Sequence, residues 1–444
     1  MGRRFGFGGE RPARPAPADL TLLSDSQLAF WYKAARLAGL VRPRWRRHRP
    51  MPETRTTPGI SLIIPSRNGR DLLAAQFPGI VRELAGFDHE ILVVDNGSSD
   101  GTEAWLRAEW PAVEVLVSQE PLSFAAAINR GIRRARFSHI CLLNNDMLLD
   151  PGFFSALRRA FDAVPDLFCA TAQIRFPPGV RRQETGKAVM RYISPVDFPI
   201  RCDEPIDGED HTWVLYGSGG CSLYDAAMLR HLGGLDEAYA PVYVEDLDIG
   251  YRAWQRGWPT VYVAGALVEH RHRVTSSRYF TGEQLEEILE LNYLRFLARA
   301  VWEGPLFRRL WKEALIRLRL RSPDSAVPRE AIRHAAGIAM AGGFGPSRYP
   351  EEMLLALTDG SVAVFPGRPR GAKPPRIVSA RLADVPPAPA EGQVVVTWVD
   401  QLAPPPPEVL AGAVEVVMVR GHGDSAAFRA ARYQAAMKWR RGGH

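Results

Sequence analysis

Short apolar runs alternate with amphipathic segments over the middle of the chain, between residues 60 and 270. The runs predict buried strands, and the segments between them have the apolar spacing of helices. The predicted strands are 60–65, 89–95, 112–117, 139–144, 168–174 and 260–270, and the predicted helices are 70–85, 123–136, one from Pro151, one from Asp225 and 244–257. Strands that alternate with helices in this way are typical of βαβ units on a mainly parallel sheet. We therefore predict an α/β fold for this region.

Polar residues follow three of the predicted strands at the point where each strand ends. They are Ser66, Arg67 and Asn68, then Asp95 and Asn96, then Asn144, Asn145 and Asp146. Ligands of open α/β sheets bind beyond the carboxyl ends of the strands, so the three groups are expected to face one ligand. Each group taken alone is equally compatible with an ordinary tight turn.

Carboxylates and one histidine later in the chain add to these candidates. Glu245, Asp246 and Asp248 fall in the first turn of the predicted helix 244–257, and His270 ends the strand that follows. One acidic side chain near the N-terminus is enough to stabilise a helix through its dipole, so three acids exceed what capping requires. A single histidine at the end of a strand is also compatible with a structural role.

These residue types suit a metal-dependent transferase that acts on a nucleotide diphosphate. Such an enzyme needs an acid that selects the nucleoside, ligands for a divalent cation and a carboxylate that deprotonates the acceptor. Asp95, Asp146, Asp246 and His270 are of the right types. The sequence has neither a GxxxxGK[ST] phosphate loop nor a GxGxxG after the first strand, which argues against simple NTPases and dinucleotide-binding enzymes.

Six segments in a fixed order carry a resemblance to a known family. They are SLIIPSRNG, EILVVDNGSSDGT, LSFAAAINRGI, CLLNNDMLLDPG, GLDEAYAPVYVEDLDIGYRAWQRGW and ALVEH. With them, residues 60–280 resemble family 2 glycosyltransferases, in particular the rhamnosyltransferase-like bacterial branch. The resemblance implies a GT-A fold, an α/β/α sandwich that binds a nucleoside-diphosphate sugar together with a divalent metal, Mg²⁺ or Mn²⁺.

The resemblance also assigns roles on the donor side of the site. Pro65 and Arg67 match the loop that touches the nucleoside, although the family often has an aromatic residue in place of Arg67. Asp95 matches the acid that binds the base. The NND sequence matches the DxD-type motif, in which Asp146 is the metal ligand and Asn144 and Asn145 lie beside the donor.

The remaining roles concern the reaction itself. Asp246 matches the catalytic base of the family's ED motif, and Glu245 beside it lies on the acceptor side. His270 matches a further metal or diphosphate ligand, with His272 as a neighbouring alternative. Gly219 belongs to a loop of small residues near the donor sugar. The implied reaction is inverting transfer of a hexosyl or deoxyhexosyl group to a glycan or lipid-linked acceptor in the synthesis of bacterial cell-surface polysaccharide or glycans.

Charge and composition divide the chain into four regions. We predict a basic N-terminal arm with a short helix (1–57), a GT-A domain (58–280), a helical extension (281–364) and Pro-rich linkers with a small α/β appendage (365–444). The formal charge of +7 is the sum of +8 for the arm, −6 for the GT-A domain and +5 for the remainder. Because the largest region is acidic, we expect no nucleic acid partner.

The basic flanks leave two interpretations open. Residues 283–321 predict one amphipathic helix in which Trp302, Phe307 and Trp311 alternate with arginines, and residues 42–49 are also basic. Such segments either lie on an anionic membrane surface or pack on the core with their arginines in water. No run is apolar enough for a signal peptide or a membrane span, and the four cysteines lack paired spacing. We expect a cytoplasmic protein, with contact to the inner face of the cell membrane as the open question.

Two other classes of protein remain as alternatives. A nucleotidyltransferase would use a similar sheet but should carry a Gly-rich basic loop after its first strand, which SRNG does not provide. A catalytically degenerate sugar-nucleotide-binding or assembly protein of the same fold is compatible with Asn144 in the DxD-type motif. The presence of Asp95, Asp146, Glu245 and Asp246 together argues against it.

Overall fold

The computed structural model describes residues 57–180, 184–271, 279–321, 347, 349–369, 374–386 and 392–441. Three predictions fall outside these residues: the short N-terminal helix, the basic run 42–49 and the alternative histidine His272. Within them, the α/β fold predicted from the apolar pattern is confirmed.

The first half of the chain alternates strands and helices as predicted. Its elements are β1 (Thr57–Ser66), α1 (Arg70–Leu84), β2 (His89–Asp95), α2 (Thr102–Glu109), β3 (Glu114–Val115), α3 (Phe124–Arg134), β4 (Phe137–Leu143), β5 (Met147–Leu149), α4 (Phe153–Ala163) and β6 (Cys169–Arg175).

The region from residue 188 to the end of the main sheet contains several short strands. Its elements are β7 (Ala188–Met190), β8 (Ile200–Cys202), β9 (Thr212–Trp213), β10 (Cys221–Asp225), α5 (Ala226–His231), a 3₁₀ turn (Glu237–Tyr239), α6 (Glu245–Trp254) and β11 (Thr260–His270). Strands β7 and β8 pair with each other as an antiparallel hairpin.

The main sheet has nine strands in the order β3-β2-β1-β4-β10-β6-β11-β5, with β9 paired to β11. Strands β3, β2, β1 and β4 are parallel, but β10 lies between β4 and β6 and is antiparallel to both. Strands β6 and β11 pair in parallel and run in the same direction as β4, so six of the nine strands share one direction and the prediction of a mainly parallel sheet is confirmed. The exceptions are β10, β5 and β9, which are antiparallel to their partners. The apolar pattern identifies a buried strand but carries no information about the direction in which it enters the sheet.

Helices cover both faces of this sheet and bury alternate residues of the same strands. Leu62 of β1 belongs to a core shared with α1 and α4, whereas its neighbour Ile63 belongs to a second core shared with α3 and α5. Helix α6 contributes Leu247 to the first core and Ile249 to the second. The three layers form the α/β/α sandwich that the family resemblance implied.

The C-terminal part forms a second, four-stranded sheet. Its elements are α9 (Glu351–Leu357), β12 (Val362–Pro366), β13 (Arg376–Arg381), a 3₁₀ turn (Leu382–Asp384), β14 (Gln393–Val399), α10 (Pro407–Gly412), β15 (Glu415–Arg420) and α11 (Ala426–Arg441), and the strand order is β12-β15-β14-β13. Strand β12 was not predicted. It joins the two sheets, because the amide of Val364 donates to Oγ1 of Thr212 and its carbonyl accepts from the amide of Asp210.

Residues 283–321 form two helices, α7 (Gly282–Ala300) and α8 (Gly304–Arg321), so the prediction of one continuous helix is wrong. The break occurs where the carboxylate of Glu351 accepts hydrogen bonds from the amides of Trp302 and Glu303, at 2.9 and 2.7 Å. These amides lie just before the first residue of α8, and a carboxylate there both satisfies them and interacts favourably with the helix dipole. The partner comes from a distant part of the chain, so local periodicity could not reveal the break.

The apolar face of α8 packs inward. Phe307 and Trp311 are 3% and 6% exposed and belong to the same core as the main sheet. Arg317 is also buried and pairs with Glu290 of α7 at 2.7 Å. For this segment the structure favours the interpretation in which the helix packs on the core. In the part of the chain that the structure describes, no helix is long and apolar enough to cross a membrane.

If α8 packs on the core, its inner aromatic residues should determine stability. We expect Trp311→Ala to lower the free energy of unfolding by roughly 3–5 kcal/mol, because the substitution leaves a large cavity. The matched variant Ile316→Ser, on a side chain of the same helix that is 40% exposed, should change it by less than about 0.5 kcal/mol. Urea unfolding followed by circular dichroism measures both, and equal losses would contradict this packing.

Candidate active site

A cavity of about 780 Å³ opens at the carboxyl ends of β1 and β4. The predicted site residues that line it are Pro65, Arg67, Asn144, Asn145, Asp146, Gly219, Glu245, Asp246 and His270. The structure thus brings together side chains from positions as far apart as residues 65 and 270. Asp95 is the one predicted site residue that is not part of the cavity lining, and it is buried at the end of β2.

The NND turn after β4 is held by side chains from two other elements. The side-chain amide of Gln76 in α1 donates to the carbonyls of Asn144 and Met147, at 2.6 and 2.7 Å. Nδ2 of Asn145 donates to Oγ of Ser66 at 2.9 Å. Gly220 must lack a side chain, because a Cβ there would lie 2.5 Å from Nδ2 of Asn144. These contacts fix the backbone that carries Asp146 at the edge of the cavity.

Asp146, His270 and Glu184 form a row along one wall. Nε2 of His270 lies 3.4 Å from Oδ1 of Asp146, and its Nδ1 lies 2.6 Å from Oε1 of Glu184. Burial alone would lower the pKa of His270, but the hydrogen bonds to the two carboxylates outweigh it and raise the pKa to about 9. Glu184 reaches this position through a turn at Gly186, whose φ of +85° and contact with the carbonyl of Ala172 exclude any side chain.

The row contains donor atoms of the types that bind divalent cations. Apart from the imidazole of His270, no donor among the described residues reaches Oδ1 of the buried Asp146. The described residues contain no group of three or more His, Cys, Asp or Glu side chains arranged to hold a metal ion. One carboxylate and one imidazole fit a divalent cation whose other ligands are oxygens of a bound diphosphate.

Glu245 and Asp246 lie side by side at the start of α6, yet their surroundings differ. Asp246 accepts hydrogen bonds from the amides of Leu247 at 2.8 Å and Gly219 at 3.3 Å. Among the described residues, no donor reaches the buried Oε2 of Glu245. Burial raises the pKa of both carboxyls, that of Asp246 to about 6, and the adjacent Asp246 charge raises that of Glu245 further. Asp246 is therefore the member of the pair that ionises first and can accept a proton near neutral pH.

The third acid of this helix has a structural role. The carboxylate of Asp248 is fully buried and accepts hydrogen bonds from Nε of Arg252 at 2.6 Å and from the hydroxyl of Tyr239 at 3.0 Å. The guanidinium of Arg252 also donates to the carbonyls of Leu232 and Gly234. This network attaches α6 to the turn before it and leaves Glu245 and Asp246 facing the cavity.

The backbone just before α6 is strained and is clamped from another element. Tyr243 and Val244 have φ values of +74° and +79°, a region that a β-branched residue such as Val244 rarely adopts. The buried Nδ2 of Asn292 in α7 lies within hydrogen-bonding distance of the carbonyls of Tyr239, Val242 and Tyr243, at 2.8 to 3.0 Å. The clamp determines where α6 begins and hence where Asp246 lies.

The side of the cavity next to the loop after β1 contains an aromatic residue that the sequence did not reveal. The guanidinium of Arg67 lies 4.1 Å from the ring centre of Tyr279, whose hydroxyl accepts a hydrogen bond from Nδ2 of Asn68. Asp95 accepts from the amide of Ser98, whose Oγ in turn accepts from the amide of Asn68. Asp95 thus supports the loop that carries Arg67.

Glu184, Tyr279 and Asn292 are the residues that sequence reasoning missed. Glu184 lies in an acidic stretch without a recognisable motif, and Tyr279 and Asn292 follow the last predicted strand of the sheet. No local pattern marks any of them. They lie near the site only because the segments after β6 and β11 fold back over the carboxyl ends of the strands.

Comparison with known proteins identifies relatives of the middle of the chain. The family model described as "Glycosyltransferase like family 2" matches residues 58–284, about half of the chain. The N-acetylglucosaminyl-diphospho-decaprenol L-rhamnosyltransferase of Mycobacterium tuberculosis is 27% identical over 242 residues, which is 49% of this chain and 78% of that protein. A validoxylamine A glucosyltransferase of Streptomyces hygroscopicus subsp. limoneus is 27% identical over 241 residues, or 47% of this chain and 51% of that protein.

Among solved structures, TarS of S. aureus (residues 1–349) aligns with a TM-score of 0.44 and 14% identity, over 67% of this chain and 83% of that one. The mannosyltransferase PcManGT from Pyrobaculum calidifontis, solved with GDP-Man and Mn²⁺, aligns with a TM-score of 0.40 and 17% identity, over 72% of this chain and 83% of that one.

If Asn292 holds the strained turn, its removal should loosen that turn before the rest of the fold. We expect Asn292→Ala to speed amide hydrogen exchange in residues 240–246 and to lower stability by about 1–3 kcal/mol, because buried carbonyls lose their donor. Hydrogen exchange followed by mass spectrometry measures the local effect. Glu287→Ala, on an exposed position of the same helix, is the control and should leave exchange unchanged. Unchanged exchange in Asn292→Ala would refute the clamp.

Proposed function

The chain belongs to glycosyltransferase family 2, and we propose that it transfers a hexosyl or deoxyhexosyl group from a nucleoside-diphosphate sugar to a hydroxyl group of an acceptor, with inversion at the anomeric carbon. The observation that carries the proposal is the meeting of Asp146 and Asp246 in one cavity, where a carboxylate for cation binding and a carboxylate for proton transfer face the same space.

We propose that the donor binds along the ends of β1, β2 and β4. The nucleoside contacts Pro65 and the Arg67 side chain stacked on Tyr279, and Asp95 supports this loop. The diphosphate lies over the turn formed by Asn144 and Asn145, and the sugar approaches Gly219. Support comes from the position of the cavity, which is the usual ligand position in open α/β sheets.

We propose that Asp246 is the general base and that Glu245 contributes to the acceptor side. The acceptor oxygen loses its proton to Asp246 as it attacks the anomeric carbon, and the nucleoside diphosphate leaves from the opposite face. The two amides that donate to Asp246 orient the carboxylate and keep its pKa below that of Glu245. Clamping of the preceding turn by Asn292 holds the base in place for this step.

Asp146 and His270 would hold a divalent metal, Mg²⁺ or Mn²⁺, through a carboxylate oxygen and a ring nitrogen. When bound, such a cation neutralises charge on a leaving diphosphate. Glu184 orients the imidazole of His270 from its other nitrogen, as second-shell carboxylates do for metal-binding histidines.

The acceptor is a glycan or a lipid-linked glycan, and the pathway is the synthesis of cell-surface polysaccharide or other envelope glycans. Support comes from relatives whose names include a diphospho-decaprenol rhamnosyltransferase and the O-antigen biosynthesis protein RfbC of Myxococcus xanthus. A catalytically degenerate sugar-nucleotide-binding protein remains the second candidate. It would bind the donor in the same cavity without turning it over.

Replacement of the proposed base should abolish transfer and preserve donor binding. We expect Asp246→Asn to lower kcat by about 10²–10⁴-fold, because removing a general base typically costs that much. The dissociation constant for the nucleotide, measured by calorimetry, should change by less than about threefold. A screen of UDP-, dTDP- and GDP-sugars with Mg²⁺ or Mn²⁺ identifies the donor for these assays.

The pH dependence provides a second measure of the same prediction. Because Asp246 must be ionised to accept a proton, kcat/KM should fall as the pH drops through about 6 and level off above it. Asp162→Asn, on an exposed helix position, is the matched control and should keep wild-type rates. Wild-type turnover by Asp246→Asn would eliminate the base assignment, and donor binding without any turnover by the wild type would favour the degenerate protein.

Removal of the metal should affect both activity and nucleotide binding. We expect EDTA to abolish transfer and added Mn²⁺ to restore it. Asp146→Asn should weaken binding of Mn²⁺ in the presence of the nucleotide by at least about tenfold, since it replaces a charged oxygen ligand by a neutral one. Electron paramagnetic resonance of Mn²⁺ measures this binding without any turnover. Transfer that continues unchanged in EDTA would remove the metal from the mechanism.

A further inference from the structure

The hairpin β7–β8 contains an arginine, Arg201, whose buried Nε has no acceptor among the described residues. Arg201 lines the cavity, and its Nε is buried. Among the described residues, no carboxylate lies within 4 Å of its guanidinium and no acceptor reaches that Nε. By contrast, Arg191 of the same hairpin is paired with Asp203 at 2.6 and 3.0 Å and donates to the carbonyl of Asp359. A buried hydrogen-bond donor without an acceptor is costly, which suggests that a ligand supplies an acceptor to this Nε.

The position of the hairpin separates Arg201 from the nucleoside side of the cavity. The chain leaves β6 into this region, where the amide of Ile174 donates to the carbonyl of Thr185 and Gly186 packs on the carbonyl of Ala172. In the sheet, β6 is three strands away from β1, or roughly 14 Å at the usual strand spacing. Arg201 and Arg67 therefore belong to opposite sides of the cavity.

The proposed base lies between these two sides. Asp246 accepts a hydrogen bond from Gly219, which directly precedes β10, and β10 lies between β4 and β6. The strand order places the loop after β1 first, then the NND turn after β4, then Gly219 before β10, and then the segment after β6 that leads to the hairpin. Glu184 of that segment also reaches His270 beside the NND turn. An acceptor hydroxyl must reach the base from the side opposite the donor, and that side is formed by the hairpin.

The loop of the hairpin packs against α7 and α8 on one side and has an apolar tip. Phe198 lines the cavity and is held by the ring of Tyr293 at 5.1 Å and by the guanidinium of Arg317 at 5.2 Å. At the tip, Tyr192, Ile193 and Val196 are 56%, 49% and 49% exposed. Three large apolar side chains that cluster in one exposed loop beside a cavity are unusual unless they contact an apolar ligand.

We propose that the hairpin β7–β8 is the acceptor-binding element, in which Arg201 binds a phosphate group of a lipid-linked acceptor and Tyr192, Ile193 and Val196 contact its lipid chain. This inference rests on the proposed function, because it assigns the acceptor side of the same cavity. The positive charge of Arg201 complements the phosphate. The apolar tip next to it favours a phosphate that carries a lipid over a free phosphate.

Binding of a short prenyl diphosphate tests the proposal without turnover. Calorimetry is run in the presence of saturating nucleoside diphosphate, so that the donor site is filled, with farnesyl diphosphate, farnesol and inorganic pyrophosphate as probes. Farnesyl diphosphate should bind at least about tenfold more tightly than either other probe. Arg201→Gln should weaken its binding about tenfold or more, because a charged hydrogen bond is lost, and Arg201→Lys should restore part of the affinity.

Two matched variants control for general effects. Arg107→Gln, on an exposed helix position, and Val81→Ser, an exposed apolar position on α1, should bind farnesyl diphosphate like the wild type. The double variant Tyr192→Ser/Ile193→Ser should weaken binding of farnesyl diphosphate and leave that of pyrophosphate unchanged. Equal binding of pyrophosphate and farnesyl diphosphate would overturn the assignment of the lipid chain.

Two further results would overturn the role of Arg201. One is unchanged binding of farnesyl diphosphate by Arg201→Gln. The other is an equal loss of nucleoside diphosphate affinity in that variant, which would make Arg201 a donor contact. Hydrolysis of the sugar nucleotide in the absence of acceptor reports on the proposed function separately. If no donor is hydrolysed, the transferase is refuted. If a donor is hydrolysed but Arg201→Gln binds farnesyl diphosphate like the wild type, only the role of the hairpin is refuted.

Discussion

The side-chain amide of Asn292 constrains the geometry of the site from a distant helix. It holds three carbonyls of the turn before α6 and thereby stabilises positive φ angles at Tyr243 and Val244 that the sequence would otherwise avoid. The start of α6, the direction of Asp246 and the buried pair of Asp248 with Arg252 follow from that turn. Because Asn292 lies on α7, the geometry of the candidate site depends on a helix that lies beyond the main sheet.

The same kind of contact recurs around the cavity. Gln76 holds the NND turn from α1, and Glu351 fixes the break between α7 and α8 by binding the amides of Trp302 and Glu303. In each case a polar side chain from a distant element satisfies backbone groups that would otherwise be buried without partners. Such contacts hold each turn in one position, and a site built from short loops needs turns that do not move.

The charge of the chain differs between the region that forms the site and the rest of the chain. The region 58–280 has a net charge of −6, and several of its acids face the cavity, where burial raises the pKa of Glu245 and Asp246. The basic excess lies elsewhere in the chain, and in α8 part of it is internal, since Arg317 pairs with Glu290. Two cations, Arg67 and Arg201, also line the cavity. Arg67 stacks on Tyr279, whereas Arg201 lies on the hairpin, where the proposed acceptor phosphate would meet it.

The order of the buried strands, the polar residues at their ends and the residues that match family 2 glycosyltransferase motifs could all be predicted, because apolar period and motif order are local properties. The antiparallel insertion of β10, the break after α7 and the neighbours of the predicted residues depend on contacts across the fold. Glu184 beside His270, Tyr279 on Arg67 and Asn292 under the turn of Asp246 all come from segments without a motif. Their roles arise from contacts between residues far apart in the chain, and no local pattern encodes such contacts.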